Sequence, residues 1–413
     1  MVEGEQRRVL ILTADAGFGH RSAANAVASA LERLYGAACD VKISNPMDDH
    51  RVPKFLRDTQ SDYDHVVRDA PRLYQMGFDL TNAAVPVAMV DGALILMLFE
   101  VLRDLVRRYR PDVILTTYPL YQAPLGAVSI LTDLKVPLIT VVTDLAAVHR
   151  SWFSDAADMC LVPTRIVRDL ATKSVLGHGK VWVTGIPVNP DLTEDVRSKE
   201  SIRRELGWQE DLPTVAVVGS KRVGRLPDVV RALNHSGLEL QMVVIAGGDD
   251  ELFASFQQVE WHGDAHVYNF VTNMPLMLRA ADFIICKAGG LIISEALACG
   301  LPLLMVDVVP GQEAGNAGYV VANGAGELVD DPVTAMETAF HWLDRGGAEL
   351  ARRKERARVL GRPRAAFVAA ELVWSYAQRG YAERCPADPG KRDWLKRWLD
   401  DHNVPWRDRP AKL

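Results

Sequence analysis

Two stretches of this 413-residue chain combine glycine turns with polar side chains suited to phosphate and sugar chemistry. The first runs Cys286-Lys287-Ala288-Gly289-Gly290 and continues to Cys299-Gly300. Ahead of it, Ala281 to Cys286 ends in an apolar run that reads as a buried parallel strand. The Ala-Gly-Gly turn lets backbone approach a ligand closely, and a helix starting there aims its N–H groups and positive dipole end at an anion. Gly300 stands where a C′ glycine belongs. Glu295, one turn in, is placed to accept hydrogen bonds from a ribose diol. After the next strand, Pro302 to Asp307, Gln312, Glu313 and Asn316 sit on a glycine-bracketed loop. An amide and a carboxylate there can fork onto adjacent sugar hydroxyls. Together these groups look like the donor half of a nucleotide-sugar site. The plainer reading is a commonplace strand–turn–helix junction with a solvated Glu295.

The second stretch lies near the N-terminus. Strand Arg8 to Thr13 runs into Ala14-Asp15-Ala16-Gly17-Phe18-Gly19-His20 and then a helix from Ser22 to Tyr35. Gly17-Phe18-Gly19 lacks the third glycine of a dinucleotide fingerprint, which weakens any dehydrogenase reading. The helix dipole favours a neutral His20 ring, able to accept a proton near pH 7, although a capping histidine has the same spacing. Strand Leu138 to Thr143 ends at Asp144, and strand C-termini are where open α/β sheets hold ligands. Asp144 is therefore expected to orient or assist His20, or else to cap the next segment. Further on, Gly219 to Arg225 forms a basic glycine loop in which Lys221 and backbone amides can meet a diphosphate.

Length and pattern predict an α/β chain of two domains. The expected division is an N-terminal domain over 1–190, a linker over 191–201, a second domain over 202–345 and C-terminal helices over 346–413 that pack back towards the first domain. Hydrophobic content of 48% and charge of 24% are ordinary for a globular protein, and the net charge of −6 argues against a nucleic-acid partner. Five cysteines without a CxxC pair read as reduced core thiols, with no disulfide framework and no zinc site. Only a short polar leader is expected before the first strand. Asp62-Tyr63-Asp64 is formally a DxD, but it lies amid charged residues with no apolar strand before it, so it reads as a solvated run and no metal is expected. The apolar run from Val85 carries Asp91, Gly92 and Glu100 and ends among arginines, so a buried or membrane-surface helix is expected and not a span. Trp394, Leu395, Trp398 and Leu399 share one helical face between basic residues, which suits a membrane interface or docking on the first domain.

In sequence the chain resembles the glycosyltransferase family 28 group that contains monogalactosyldiacylglycerol synthases and diacylglycerol glucosyltransferases. The residues that carry the resemblance are Ala16 to Ala23, Pro111-Asp112-Val113-Ile114, Thr143-Asp144-Leu145 with Trp152-Phe153, and Val183 to Val188. Lys287 to Gly290, Ser294 to Leu297, Pro310 to Glu313 and Gly315-Asn316 add to them. The resemblance implies a GT-B fold, two Rossmann-like domains facing across a cleft. It implies an inverting transfer of galactose or glucose from a UDP-sugar to diacylglycerol or a related lipid. The alternatives are another hydrophobic acceptor, or a nucleotide-sugar-binding regulator without turnover. His20 matches the proposed general base. Phe270 and Val271 fall where uracil is held, Glu295 where ribose is bound, and Gln312 with Glu313 where the sugar is read. Lys287, Gly289 and Gly290 lie beside the diphosphate. Gly17, Phe18, Gly19 and Trp152 face the acceptor. No cofactor or metal is implied beyond the UDP-sugar. The expected location is cytoplasmic, peripheral on the cytosolic face of an anionic membrane. Ala16, Phe18, Lys221 and Arg222 stand where relatives usually carry glycines.

Overall fold

The computed structural model describes residues 6–16, 18–58, 82, 84–132, 134–220, 224–308, 312–379, 389–402 and 404; the side chains of 18, 84–86, 312, 389 and 391 are outside that description. Gly17, Lys221 and the Asp62-Tyr63-Asp64 run lie outside the described residues. Two six-stranded parallel sheets organise the chain. The first comprises β1 (Arg7–Leu12), β2 (Cys39–Ser44), β3 (Val113–Thr116), β4 (Leu138–Val141), β5 (Met159–Val162) and β6 (Val181–Val183), in the order β2-β1-β3-β4-β5-β6. The second comprises β7 (Thr214–Val218), β8 (Gln241–Ile245), β9 (Ala265–Tyr268), β10 (Phe283–Cys286), β11 (Leu303–Met305) and β12 (Gly326–Leu328), in the order β12-β11-β10-β7-β8-β9. Runs such as Val9 to Leu12 and Phe283 to Ile285 are completely buried, as strands covered by helices on both faces must be. Each sheet reverses its winding once, between β1 and β3 and between β7 and β10. At such a switch point the strand C-termini leave a crevice for a ligand. The two Rossmann-like halves implied by the sequence are present.

The helices are α1 (Phe18–Tyr35), α2 (Ala84–Tyr109), α3 (Gln122–Leu131), α4 (Arg165–Thr172), α5 (Asp191–Glu194), α6 (Lys199–Leu206) and α7 (Leu226–Asn234). They continue with α8 (Asp250–Gln257), α9 (Met274–Ala280), α10 (Gly290–Ala298), α11 (Gln312–Ala322), α12 (Pro332–Leu360), α13 (Ala365–Arg379) and α14 (Pro389–Asp401). Small side chains at helical spacing draw α1 and α13 together: Ala24, Val27, Ala28 and Leu31 share a core with Ala366, Ala369, Ala370 and Val373. The chain thus crosses from the first half to the second after β6 and returns after α12. Residues 191–201 contain α5 and the start of α6, and Arg33 of α1 pairs with Asp191 at 2.6 Å and with Glu194. Leu395 and Leu399 of α14 are buried in the core that α2 and α3 supply, and Trp398 packs beside them. Among the described residues no helix is long and apolar enough to cross a membrane.

One half-buried charge pins the second sheet. Asp282, just before β10, accepts from Lys199 at 2.8 Å, Arg203 at 2.6 Å, Lys354 at 2.8 Å and the Thr214 backbone N–H at 2.9 Å. Despite its burial, these cations hold its carboxyl well below the usual carboxylate range. A depressed acid stabilises the fold above its unfolded pKa, and that contribution is lost as pH falls below the ordinary range near 3.9. Asp282→Ala strands three cations and is expected to lower stability by about 3–5 kcal/mol. Urea unfolding checks this, with an earlier midpoint expected, and a midpoint like the parent's would contradict the role.

Candidate active site

His20 is the third residue of α1, so the β1–α1 turn fixes its position at the first switch point. Its Nδ1 lies 2.8 Å from the carbonyl oxygen of Thr117, just beyond β3. A carbonyl can only accept, so Nδ1 carries the proton and the lone pair is on Nε2. The Thr143 hydroxyl, past β4, lies 3.0 Å from the same Nδ1. Thr117 Oγ1 donates back to the His20 carbonyl at 3.0 Å. Tyr118 meets the imidazole edge-on at 5.0 Å between centroids, and Trp152 flanks it at 5.9 Å. Three strand ends and two aromatic rings therefore hold one histidine in the tautomer whose neutral form carries its lone pair on Nε2.

Asp144 is buried and accepts from the Trp152 indole N–H at 2.7 Å. Burial pushes its carboxyl up to about 6, against the Trp152 hydrogen bond, and the charge of Glu313 adds to the rise. The carboxylate expected to orient His20 thus orients the neighbouring tryptophan, while a backbone carbonyl and the Thr143 hydroxyl hold the histidine. Glu313 in turn pairs with Lys287. Trp152 and Asp144 come from the first half, Glu313 and Lys287 from the second, so the row spans the cleft.

The halves meet through glycines. A Cβ on Gly290 would lie 2.7 Å from the Thr143 carbonyl oxygen, and one on Gly315 would lie 2.4 Å from the Ala147 Cβ. Both are far inside ordinary contact, so side chains there would push the halves apart. Asn316 is 1% exposed and bridges them: Oδ1 accepts from the Ala146 N–H at 3.3 Å, and Nδ2 donates to the Ala288 carbonyl at 3.2 Å. Gly19 and Leu291 face each other at the same seam, the glycine's ideal Cβ 4.0 Å from the Leu291 Cβ. The start of α10, with Gly289 as its N-cap, is thereby set against the turn that carries His20. Unpaired N–H groups at a helix start favour an anion there.

Gln312, Glu313 and Asn316 were expected on a loop but form the first turns of α11, which is why Glu313 and Asn316 can face the first half together. Glu295 sits on the second turn of α10, partly exposed, and its protein surroundings push its carboxyl up to about 7. Phe270 is 62% exposed beyond β9, an aromatic face open to a partner, whereas Val271 packs into the core beneath it. Gly219 donates to the Ile245 carbonyl at 2.7 Å, and a Cβ there would lie 2.6 Å from Leu252, so its smallness serves a tight turn. Thr117 was not singled out by the sequence, since a backbone carbonyl leaves no side-chain signature. Gln122 was also missed. It is buried, donates to the Ser151 and Trp152 carbonyls at 3.1 Å each, and accepts from Thr140 at 2.9 Å, which fixes the turn that presents Trp152. Among the described residues no group of three or more His, Cys, Asp or Glu is placed to hold a metal.

Residues 20–188 match the family described as monogalactosyldiacylglycerol (MGDG) synthase, and residues 214–365 match the glycosyltransferase family 28 C-terminal domain. The monogalactosyldiacylglycerol synthase of Spinacia oleracea is 32% identical over 371 residues, spanning 87% of this chain and 71% of that one. A probable monogalactosyldiacylglycerol synthase of Glycine max is 33% identical over 392 residues, spanning 92% and 74%. In structure, Acinetobacter baumannii MurG superposes with a TM-score of 0.56 at 16% identity, covering 90% of this chain and 99% of that one. The glycosyltransferase CalG4 gives 0.55 at 15% identity, covering 91% and 99%. These likenesses identify the fold as GT-B.

The glycine seam generates a direct test. Gly315→Ala adds one methyl that overlaps Ala147, and it is expected to hold the halves apart while leaving α11 helical. Small-angle scattering should report a larger radius of gyration with unchanged far-ultraviolet circular dichroism, and an unchanged radius would contradict the seam.

Proposed function

This chain belongs to the monogalactosyldiacylglycerol synthase family, and from that membership we propose that it moves a hexose from a UDP-sugar onto diacylglycerol to form a glycosyldiacylglycerol. The relatives' names point to UDP-galactose as donor, and UDP-glucose is its comparator. The observation that carries the reading is the pairing across the seam of a basic His20 Nε2 from one half with the start of α10 from the other.

In the proposed step the acceptor hydroxyl oxygen attacks the anomeric carbon of the sugar from the face opposite UDP. The bond from that carbon to the diphosphate oxygen breaks with inversion, the hydroxyl proton passes to His20 Nε2, and UDP leaves with the bonding pair. General base catalysis of this kind contributes roughly 10²–10⁴-fold. Negative charge grows on the leaving diphosphate, where Lys287 and the α10 N–H groups can meet it, so the step is proposed to run without a divalent cation. A diphosphate beside Lys287 competes with Glu313 for the ammonium and turns Glu313, with Gln312, towards the sugar hydroxyls. Glu295 is proposed to take the ribose diol and Phe270 with Val271 the uracil. Trp152 and the Gly17-Phe18-Gly19 turn are assigned to the acceptor side, with Asp144 holding Trp152.

The acceptor lies in a membrane, so the first half must meet a lipid surface. Met89 of α2 is 73% exposed and Trp394 of α14 is 56% exposed, with Arg392 and Arg397 exposed on the same helix. The two helices touch where Gly92 faces Trp398, which brings exposed apolar side chains and the exposed Arg397 into one neighbourhood, with Asp393 and Asp400 exposed on the same helix. Peripheral binding to the cytosolic face of a membrane is proposed through it.

The test uses purified protein, dioleoylglycerol in anionic liposomes, EDTA, and either UDP-galactose or UDP-glucose, followed by mass spectrometry of the lipids. A hexosyl-diacylglycerol is expected with EDTA present, falling at least roughly 100-fold in His20→Ala. No product from either donor, with UDP still bound, would contradict diacylglycerol as acceptor.

A further inference from the structure

Behind the seam, away from His20, lies a second cavity of about 430 Å³, a size within the range of roughly 300–1,000 Å³ typical of small-ligand sites. Its walls come from both halves: Leu145 and Arg165 from the first, Leu297 and Tyr319 from the second, and Ile186 and Arg362 from the two segments where the chain crosses between them. Tyr319 stands one turn along α11 from Asn316, the residue that bridges the halves. Leu145 directly follows Asp144. Ile186 also lies 3.5 Å from the Cβ position of Gly290, so the cavity wall adjoins the seam.

The lining chemistry selects a ligand. It contains two arginines and no carboxylate, in a chain whose net charge is −6. Arg165 is exposed at the first position of α4, and among the described residues it has no acceptor. Arg362 spends Nη1 on the carbonyls of Val359, Leu360 and Gly361 at 3.3, 3.5 and 2.9 Å, which leaves part of its fork uncommitted. Its charge reaches Tyr319, whose phenol is raised by burial and pulled the other way by the guanidinium. Two cations, one of them partly engaged, suit a single anionic charge and fit a polyphosphate poorly. Thr164, Ser294, Tyr319 and Asn323 make part of the remaining wall polar, and Leu145, Ile186 and Leu297 supply an aliphatic strip that suits a chain. We propose that this hinge cavity binds a long-chain carboxylate, with its head between Arg165 and Arg362 and its chain along Leu145, Ile186 and Leu297. Because the ligand touches both halves at the spacing seen here, it favours that spacing over a wider one.

A fluorescent dansylated undecanoic acid, titrated into the full chain below its micelle concentration, tests the site. Saturable binding is expected, displaced by laurate and left in place by dodecanol, which lacks the head. Arg165→Glu should weaken binding by about tenfold or more, the loss of a charge-assisted contact. Arg168→Glu makes the same charge change on the same exposed helix but outside the cavity, and should bind as the parent does. Displacement by dodecanol, equal weakening in both variants, or no saturable binding would overturn the proposal. Displacement by UDP or by dioctanoylglycerol would place the probe in the catalytic cleft and overturn it as well. The coupling rests on the UDP-sugar reading: laurate should tighten UDP binding, and an unchanged UDP affinity would overturn the coupling. Failure of UDP to bind at all would instead count against the donor assignment.

Discussion

The site exists because two parallel sheets bring their strand ends within contact distance, and that approach depends on missing side chains. At Gly290 the Thr143 carbonyl oxygen, and at Gly315 the Ala147 Cβ with its own backbone, occupy the space a Cβ would need. Asn316 then converts proximity into a fixed spacing, using both ends of its amide on backbone groups of different halves. Buried amide groups are costly to leave unpaired, so the bridge is specific as well as attractive. Without this seam, His20 and the start of α10 would belong to separate bodies.

Each half brings a preformed component to that contact. The first supplies a histidine whose tautomer is dictated by the Thr117 carbonyl, and the second supplies a helix start whose N–H groups favour an anion. The carboxylates Asp144 and Glu313 approach each other across the cleft, and each is tied to a donor of its own half, Trp152 and Lys287. That arrangement explains how two acids tolerate burial in one cleft; burial itself, with the Glu313 charge adding to it and the Trp152 hydrogen bond opposing it, raises the Asp144 carboxyl to about 6. Because Lys287 already has a carboxylate partner, an arriving diphosphate would exchange one anion for another, with no need to desolvate a bare cation.

Much of this was legible in the sequence. Apolar runs ending in glycine turns marked β1 and β10, and the polar residues after β4 and β11 pointed to the crevice, because parallel sheets bind ligands at strand C-termini. His20 was visible as a titratable ring beside a helix start. What orients it was not, because the partner is the main chain of Thr117, and any residue type supplies a carbonyl. Gly290 was read as room for a ligand, whereas its closest neighbour is the other half of the protein. One sequence cannot distinguish those two uses of a missing Cβ. Gln312, Glu313 and Asn316 were placed on a loop because Pro310-Gly311 and Gly315 look like breakers, yet Gly315 lies within α11, where packing against Ala147 outweighs its low helix propensity.

The most direct measurement is the protonation state of His20 itself. Two-bond proton–nitrogen NMR on protein with isotope-labelled histidine, assigned by comparison with His20→Gln, reports each ring nitrogen separately. The proton on Nδ1 and the lone pair on Nε2 are expected from the Thr117 contact, and a neutral ring at neutral pH is expected of a base. A proton fixed on Nε2, or a ring that stays doubly protonated at neutral pH, would contradict His20 as the base.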